Sequence, residues 1–387
     1  MYKSHEIRTV HLEITDKCNA ACPMCARNIN GGEDNPQLPG TELSIDDIKQ
    51  IFRPEFIRQL DRMYMCGNYG DPIAARDTLE TFQYFREHNA KINLSMHTNG
   101  SAKKPDWWRQ LAYALGSKGY VVFSIDGLED TNHLYRQNTV WSKIIENAKA
   151  FIDAGGRARW DYIVFAHNEH QVEEAEALAN KMGFERFQYK KSARFFSVAT
   201  GMTKEMHQAS NRKGVATTLL QAPTNPKYRN SALQELAKIS SGEIKTIPSR
   251  AAELKGTQYP QIFHKDTAKK KPMEKVWDEA VIKCKVKEEK SVYVSAEGIV
   301  QPCCWTAGQM YVWYWIERGG QIWKLIDEAG KDSLNALNHG LDSIIDGDFF
   351  QRKVPDSWNK PSCAEGKLAV CAKTCGTKYD AFKEQFN

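Results

Sequence analysis

Cys18, Cys22 and Cys25 stand in the stretch TDKCNAACPMCARN, residues 15–28, at the spacing C-x3-C-x2-C. Thiolates are soft metal ligands, and three on one short loop can hold a metal or a cluster. A tetrahedral zinc needs a fourth ligand, which Cys66 could supply from the end of a second strand-like run. A four-iron, four-sulfur cluster needs only three thiolates when one iron is left open to another ligand. The spacing is not the paired C-x2-C of zinc knuckles, yet by itself it leaves both readings open. Six further cysteines follow late, at 284, 303, 304, 363, 371 and 375, with none between Cys66 and Cys284. That distribution predicts two metal-binding regions separated by a metal-free stretch.

The bulk numbers set bounds on the rest. The chain has 387 residues, 41% hydrophobic and 26% charged, with a net charge of +5. This is an ordinary globular balance, long enough for one large domain and a smaller one. The charge is too mild to argue for nucleic acid. The start, MYKSHEIRTV, has no apolar signal core, so no export is expected. MYVWYWI (310–316) is the strongest apolar run and is far too short to span a bilayer. A cytoplasmic protein is therefore expected, and in that setting ten cysteines point to metal or catalysis rather than disulfides.

Strand-like and helix-like segments alternate through the first 195 residues and must position these groups. Strand-length apolar runs occur at 8–14, 62–66, 92–96, 120–125, 161–166 and 186–190. Ser44 and Asp47 form a capping box ahead of Ile45, Ile48 and Ile51. Asp77 precedes Leu79, Phe82 and Phe85, and Ile144, Ala148, Phe151 and Ile152 mark another helix face. Six such units make a partial (β/α)6 TIM-like barrel, with its site at the C-terminal ends of the strands. The cysteines, YGDP (69–72), HTNG (97–100), SIDG (124–127) and His167-Asn168 all fall at such ends. Residues 196–280 read as a basic connector that accommodates one or two helices, most basic at KDTAKKKP (265–272). From 281 to 387 a smaller α+β domain is expected, opening with a hairpin over 291–302 that turns at Glu297-Gly298.

CNAACPMC resembles the cluster motif of the radical S-adenosylmethionine (radical SAM) superfamily. Gly70-Asp71-Pro72 resembles that family's Gly-Glu-Pro segment, whose backbone receives the methionine amino group of S-adenosylmethionine (SAM). Thr98-Asn99-Gly100 resembles its third-strand ending. SIDGLEDTNHLYR (124–136) resembles its fourth-strand ending, which implies SAM contacts from Ser124 and Arg136, with Asp126 beside them. Asn168 resembles a position near the SAM ribose or adenine. Two departures stand out: Met24 replaces a common aromatic, where it can still fill space against adenine, and Asp71 replaces the glutamate. The resemblance implies a [4Fe-4S] cluster on Cys18, Cys22 and Cys25, SAM on its open iron, and reductive cleavage to methionine and a 5′-deoxyadenosyl radical. That radical would abstract hydrogen from a substrate.

Cys284-x13-Gly298-x4-Cys303 resembles the opening of a SPASM or twitch domain, and Cys371-x3-Cys375 its closing pair. This implies a second, auxiliary [4Fe-4S] cluster on Cys284, Cys303, Cys371 and Cys375, with Cys363 as the substitute ligand. A structural zinc on the same residues is the alternative. In sulfatase-type maturases an aspartate follows the cysteine that closes Gly-x4-Cys; here that residue is Cys304, so formylglycine formation is not expected. Cys304 reads as packing, as a cluster ligand, or as a hydrogen-atom donor. Cys66 reads as a packed residue, with a redox role as the alternative. His97 reads as a hydrogen-bonded structural histidine. Trp305, Tyr311, Trp313, Tyr314 and Trp315 read as core of the C-terminal domain, and one of Trp107 and Trp108 as core, the other as surface.

The expected activity is modification of a peptide or protein side chain. The first strand begins within ten residues of Met1, which speaks against a peptide-recognition domain ahead of it. A radical dehydrogenase or epimerase of a small molecule is the second class. RNA base modification and a non-enzymatic metal-binding module are weaker alternatives. A one-electron donor such as flavodoxin or ferredoxin is implied, and a monomer without membrane or nucleic-acid partners is expected.

Overall fold

The computed structural model describes residues 1–197, 202–203, 205–230, 272–312 and 316–377. Its centre is one eight-stranded sheet. The strands are β1 (Thr9–Leu12), β2 (Arg62–Met65), β3 (Asn93–Thr98), β4 (Tyr120–Ser124), β5 (Ala158–Ile163), β6 (Arg186–Lys190), β11 (Ser291–Val294) and β12 (Val300–Gln301). Two-residue β7 (Phe196–Ser197) and β8 (Met202–Thr203) pair with each other, as do β9 (Met206–Ser210) and β10 (Ala216–Gln221). The order in the main sheet is β12-β11-β1-β2-β3-β4-β5-β6, every neighbour parallel except the β11–β12 hairpin. Parallel strands need crossovers, and helices supply most of them. These are α1 (Ile45–Ile51), α2 (Pro54–Arg58), α3 (Thr78–His88), α4 (Pro105–Leu115), α5 (Asn132–Tyr135), α6 (Trp141–Asp153) and α7 (Val172–Met182). This is the α/β partial barrel that the alternation predicts.

Local chemistry sets the helix starts. Ser44 and Asp47 close the predicted capping box, Ser44 N–H donating to Asp47 Oδ2 at 2.8 Å. Asp77 then accepts the Ile45 amide at 2.9 Å, tying α1 to the start of α3. One face of each strand packs on these helices through Val10, Leu12, Met63, Met65, Leu94, Met96, Val121, Phe123 and Trp160. Trp108 lies fully in that core, while Trp107 is half-buried beneath the Lys103 ammonium, as predicted. Strand alternation turns His11, Glu13, Tyr64, Cys66, Ser95, His97 and Asp161 to the opposite, inner face.

Three elements differ from expectation. β5 ends at Ile163 rather than 166, because the Asn168 amide donates to the Ile163 carbonyl and accepts from Phe165 N–H, curling the chain into a turn. Within the segment read as a connector, β9 and β10 form an antiparallel hairpin that lies on the first cysteine loop. Threonine-rich and apolar stretches such as Ala216–Gln221 suit a strand better than a solvated linker. The third difference concerns β11, which pairs in parallel with β1, Thr9 opposite Ser291 and Leu12 opposite Val294, so the C-terminal hairpin continues the barrel sheet. Residues 265–271 and 313–315 lie outside the described residues, and with them most of the basic run and Trp313, Tyr314 and Trp315.

The C-terminal part adds α8 (Pro272–Asp278), α9 (Lys285–Glu288), α10 (Cys304–Ala307), α11 (Ile316–Ala329), α12 (Leu341–Asp346), α13 (Val354–Trp358) and α14 (Ala369–Cys375). Among the described residues no helix is long and apolar enough to cross a membrane.

Candidate active site

The first cysteine loop leaves β1 and is covered on one side by aromatic and aliphatic side chains. Cys22 is buried with Ala20, Tyr135, Phe165, Phe195, Leu220 and Ala222, and Cys18, Met24 and Cys25 pack against that group. The β9–β10 hairpin holds the loop in place: Ser210 N–H donates to the Asn30 carbonyl at 2.7 Å, and His207 Nε2 pairs with the Pro23 carbonyl at 3.1 Å. Arg194 donates to the Met24 carbonyl.

N–H donors surround the thiols. Ala20 N–H points at Cys18 Sγ over 3.3 Å, and Asn99 Nδ2 lies 3.8 Å from the same sulfur. Arg136 Nη1 lies 3.8 Å from Cys22 Sγ. Burial pushes the Cys22 thiol up to about 11, with Arg136 pulling it back. The Cys18 and Cys22 thiols, both raised by burial and both beside N–H donors, suit a bound cation that deprotonates them, so the donor set fits an iron–sulfur cluster. Among the described residues, no three His, Cys, Asp or Glu side chains are drawn together around a single metal ion.

The predicted SAM-contact residues gather around this loop, but several are committed within the protein. Asp71 is buried and accepts both the Asn99 backbone and side-chain N–H groups at 2.7 Å, as well as Ile73 N–H at 3.2 Å. It therefore orients Asn99 and caps the short 3-10 turn that starts at Pro72. Asp126 is fully buried, accepts Arg136 Nε at 2.5 Å, and so aims the guanidinium. Asn168 donates both side-chain N–H groups, to the Asp126 and Ile163 carbonyls, and accepts from Phe165 N–H at 2.7 Å, so both of its donors are spent on the turn. Ser124 closes β4 and is half-buried. Gly70 has a steric reason: a Cβ there would lie 1.8 Å from the Thr15 carbonyl oxygen.

One residue of this region carried no signal in the reading of the motifs. Glu13, buried at the end of β1, accepts Tyr69 N–H at 2.7 Å, Gly70 N–H at 3.1 Å and the Tyr293 hydroxyl. Burial lifts its carboxyl to about 7. A charged residue between Leu12 and Ile14 in an otherwise apolar strand was the available clue.

The second group is a separate cavity. Cys284, Cys303, Cys371 and Cys375 line it together, with Val286, Trp305, Val354 and Trp358 among the apolar walls. Cys284 and Cys303 stand at the N-caps of α9 and α10, and Cys371 and Cys375 lie in α14. The Trp358 indole N–H is buried here without a formed hydrogen bond, beside the Cys371 thiol. A buried indole N–H turned to the Cys371 thiol, in a cavity lined by four cysteines, fits a sulfur-rich group that accepts from it. Cys363, the substitute ligand, is not in this wall; its N–H donates to Asp278 at 2.6 Å.

Cys304 is also outside the wall. Its thiol is pushed well up by burial, and after that by Cys303, Cys66 and Glu13, the last two on the inner face of the barrel. Adjacent cysteines thus serve two different compartments. The Cys66 thiol is raised to about 11 by burial, and its carbonyl pairs with His11 Nε2. His97 is held down to about 4 by burial and Lys190, with Asp161 Oδ2 4.0 Å from its Nδ1. Of the late aromatics, Trp305 lines the cysteine cavity and Tyr311 packs edge-on against Tyr69 at 5.7 Å.

Comparison with known proteins agrees with this geometry. The sequence over residues 12–180 matches the family model of the Radical SAM superfamily. These residues are a radical SAM domain. The match marks the chain as an enzyme, and the superfamily implies a four-iron, four-sulfur cluster and SAM. Over 104 residues the chain is 27% identical to the FeMo cofactor biosynthesis protein NifB of Methanocaldococcus jannaschii. That stretch is 25% of this chain and 34% of NifB, so the match spans about a third of the curated relative. Two structures of Streptococcus suis SuiB share the radical SAM fold seen here. With SuiB bound to S-adenosylmethionine the TM-score is 0.50 at 15% identity, over 95% of this chain and 72% of SuiB. With SuiB bound to the precursor peptide SuiA it is 0.51 at 17% identity, over 96% and 73%.

Proposed function

We propose that this chain cleaves SAM reductively and abstracts a hydrogen atom from a peptide or protein side chain. The observation that carries the proposal is Asn99 beside Cys18 and Arg136 beside Cys22, on the loop that also carries Cys25 in a radical SAM domain. Cys18, Cys22 and Cys25 would hold a four-iron, four-sulfur cluster, which when reduced would provide the electron for breaking the carbon–sulfur bond of SAM. The chain's own groups supply orientation. Arg136, aimed by Asp126, pairs with the methionine carboxylate; the Gly70–Pro72 main chain receives the amino group; Met24 packs on the adenine. Asp71 acts through Asn99, and Asn168 shapes the turn after β5. The aromatic cover of Tyr135 and Phe165 keeps water from the radical.

Cys284, Cys303, Cys371 and Cys375 hold an auxiliary [4Fe-4S] cluster in this reading, within a functional unit of residues 281–387. Their shared cavity and the buried Trp358 N–H beside Cys371 support it. The peptide class comes first because SuiB, whose fold the chain shares, binds a precursor peptide. A small-molecule epimerase or dehydrogenase is the second reading, favoured by the buried Cys304 thiol on the inner face as a hydrogen-atom donor. None of the ten cysteines is in a disulfide, which suits metal ligation in a reducing cytoplasm with a donor such as flavodoxin or ferredoxin.

Anaerobic iron loading followed by reduction with SAM tests the proposal. About eight irons per chain and release of 5′-deoxyadenosine are expected, with about four irons after alanine replaces Cys18, Cys22 and Cys25. Zinc with negligible iron would overturn it.

A further inference from the structure

The segment Asn68-Tyr69-Gly70-Asp71 touches both cysteine regions. On one side Asn68 Nδ2 donates to the Cys304 carbonyl at 2.8 Å, and the Tyr69 hydroxyl donates to the Gly308 carbonyl at 3.0 Å. Both acceptors belong to the turn of helix that follows Cys303. On the other side Asp71 grips Asn99, whose Nδ2 lies 3.8 Å from Cys18 Sγ. Between them the Tyr69 and Gly70 amides both donate to Glu13, which is closed off by the hydroxyl of Tyr293 from β11.

We infer that Glu13 and Tyr293 are positioning residues that set the SAM-binding main chain of Gly70–Pro72 and couple it to the Cys303 hairpin. In a trans peptide the N–H and C=O point in opposite directions. Holding the Tyr69 and Gly70 N–H groups on one carboxylate therefore fixes where the Asn68 and Tyr69 carbonyls point. Those carbonyls belong to the loop whose backbone receives the methionine ammonium, so the carboxylate acts on SAM without touching it. Glycine is required at 70 because β1's continuation passes so close, and the turn cannot relax by moving toward Thr15. Tyr293 adds the C-terminal hairpin to the same contact. β11 lies beside β1 in the sheet, in register from Ser291 to Val294, so a shift of the hairpin moves Tyr293 against Glu13. The order of SAM's ammonium seat then depends on how the Cys284–Cys303 hairpin is packed.

The inference rests on the reading of Gly70–Pro72 as the SAM seat, and the experiment separates the two. Cluster-loaded wild type, Glu13→Ala, Glu13→Gln, Tyr293→Phe and Asn68→Ala are compared by SAM equilibrium binding, iron content and the electron paramagnetic resonance change when SAM meets the reduced protein. Glu13→Ala should raise the SAM Kd about tenfold or more at unchanged iron, since it removes three hydrogen bonds to a charged acceptor. Glu13→Gln should recover most of that loss, because its carbonyl oxygen accepts both amides. Tyr293→Phe and Asn68→Ala should weaken SAM about threefold. In SAM cleavage without substrate, KM should rise while kcat at saturating SAM stays near wild type. SAM binding equal to wild type in Glu13→Ala would overturn the inference. Should that variant fail to fold, wild-type binding in both Tyr293→Phe and Asn68→Ala would overturn it instead. A wild-type protein that loads iron yet binds no SAM would overturn the underlying reading.

Discussion

Glu13→Gln separates the charge of the buried carboxylate from its hydrogen-bonding shape. Burial lifts the Glu13 carboxyl from 4.5 to about 7, against the pull of the Tyr293 hydroxyl and the Tyr69 and Gly70 amides, with Asp16 adding to the rise. A carboxyl with a higher pKa in the folded chain than in the unfolded one binds more protons when folded. Its contribution to stability is therefore complete at acid pH and is lost as pH rises through the window from 4.5 to about 7. With RT about 0.59 kcal/mol, the wild type loses about 1 kcal/mol by pH 5 and about 3 kcal/mol by pH 8, relative to the acid limit. The glutamine does not titrate. Subtracting the two proteins cancels every other ionising group, so the stability of wild type relative to Glu13→Gln should fall by about 2–3 kcal/mol from pH 5 to pH 8. Anaerobic urea unfolding of both cluster-loaded proteins, followed by tryptophan fluorescence at the two pH values, reads this difference. A difference constant to within about 0.5 kcal/mol would refute the argument, since Glu13 would then ionise alike in folded and unfolded chains.

Asp126→Ala should leave the partly exposed Arg136 guanidinium without its buried counter-charge, lowering stability and weakening SAM binding; thermal unfolding and equilibrium binding check both. Gly70→Ala places a methyl 1.8 Å from the Thr15 carbonyl oxygen, so iron should load normally while SAM binding falls by at least about tenfold. Cys304→Ala should leave the iron content unchanged, because Cys304 lies outside the four-cysteine cavity; loss of iron would show that it is a ligand. If 5′-deoxyadenosine still forms but the product changes, the thiol is the hydrogen donor of the epimerase reading.

The three-cysteine loop, the strand–helix alternation and the capping boxes were legible in the sequence because each is local. Ser44 meets Asp47 three residues on, and Cys18, Cys22 and Cys25 share one turn of chain, so spacing alone carries the geometry. The run 186–190 matches the strand Arg186–Lys190 over its full length. What the residues do to one another was not legible, because it depends on register between distant segments. Asp71, Asp126 and Asn168 have the right types for ligand contacts, yet the fold spends their polar atoms on Asn99, Arg136 and the turn after β5. Cys303 and Cys304 are neighbours in sequence and part company in space, one into the cysteine cavity and one toward Cys66 and Glu13. Glu13 joins Tyr69, Gly70 and Tyr293 only because β11 pairs beside β1, a parallel contact between strands about 280 residues apart that no local pattern encodes. Sequence determined which groups are present and which loops present them; the pairing of strands decided which are spent on one another and which remain for SAM.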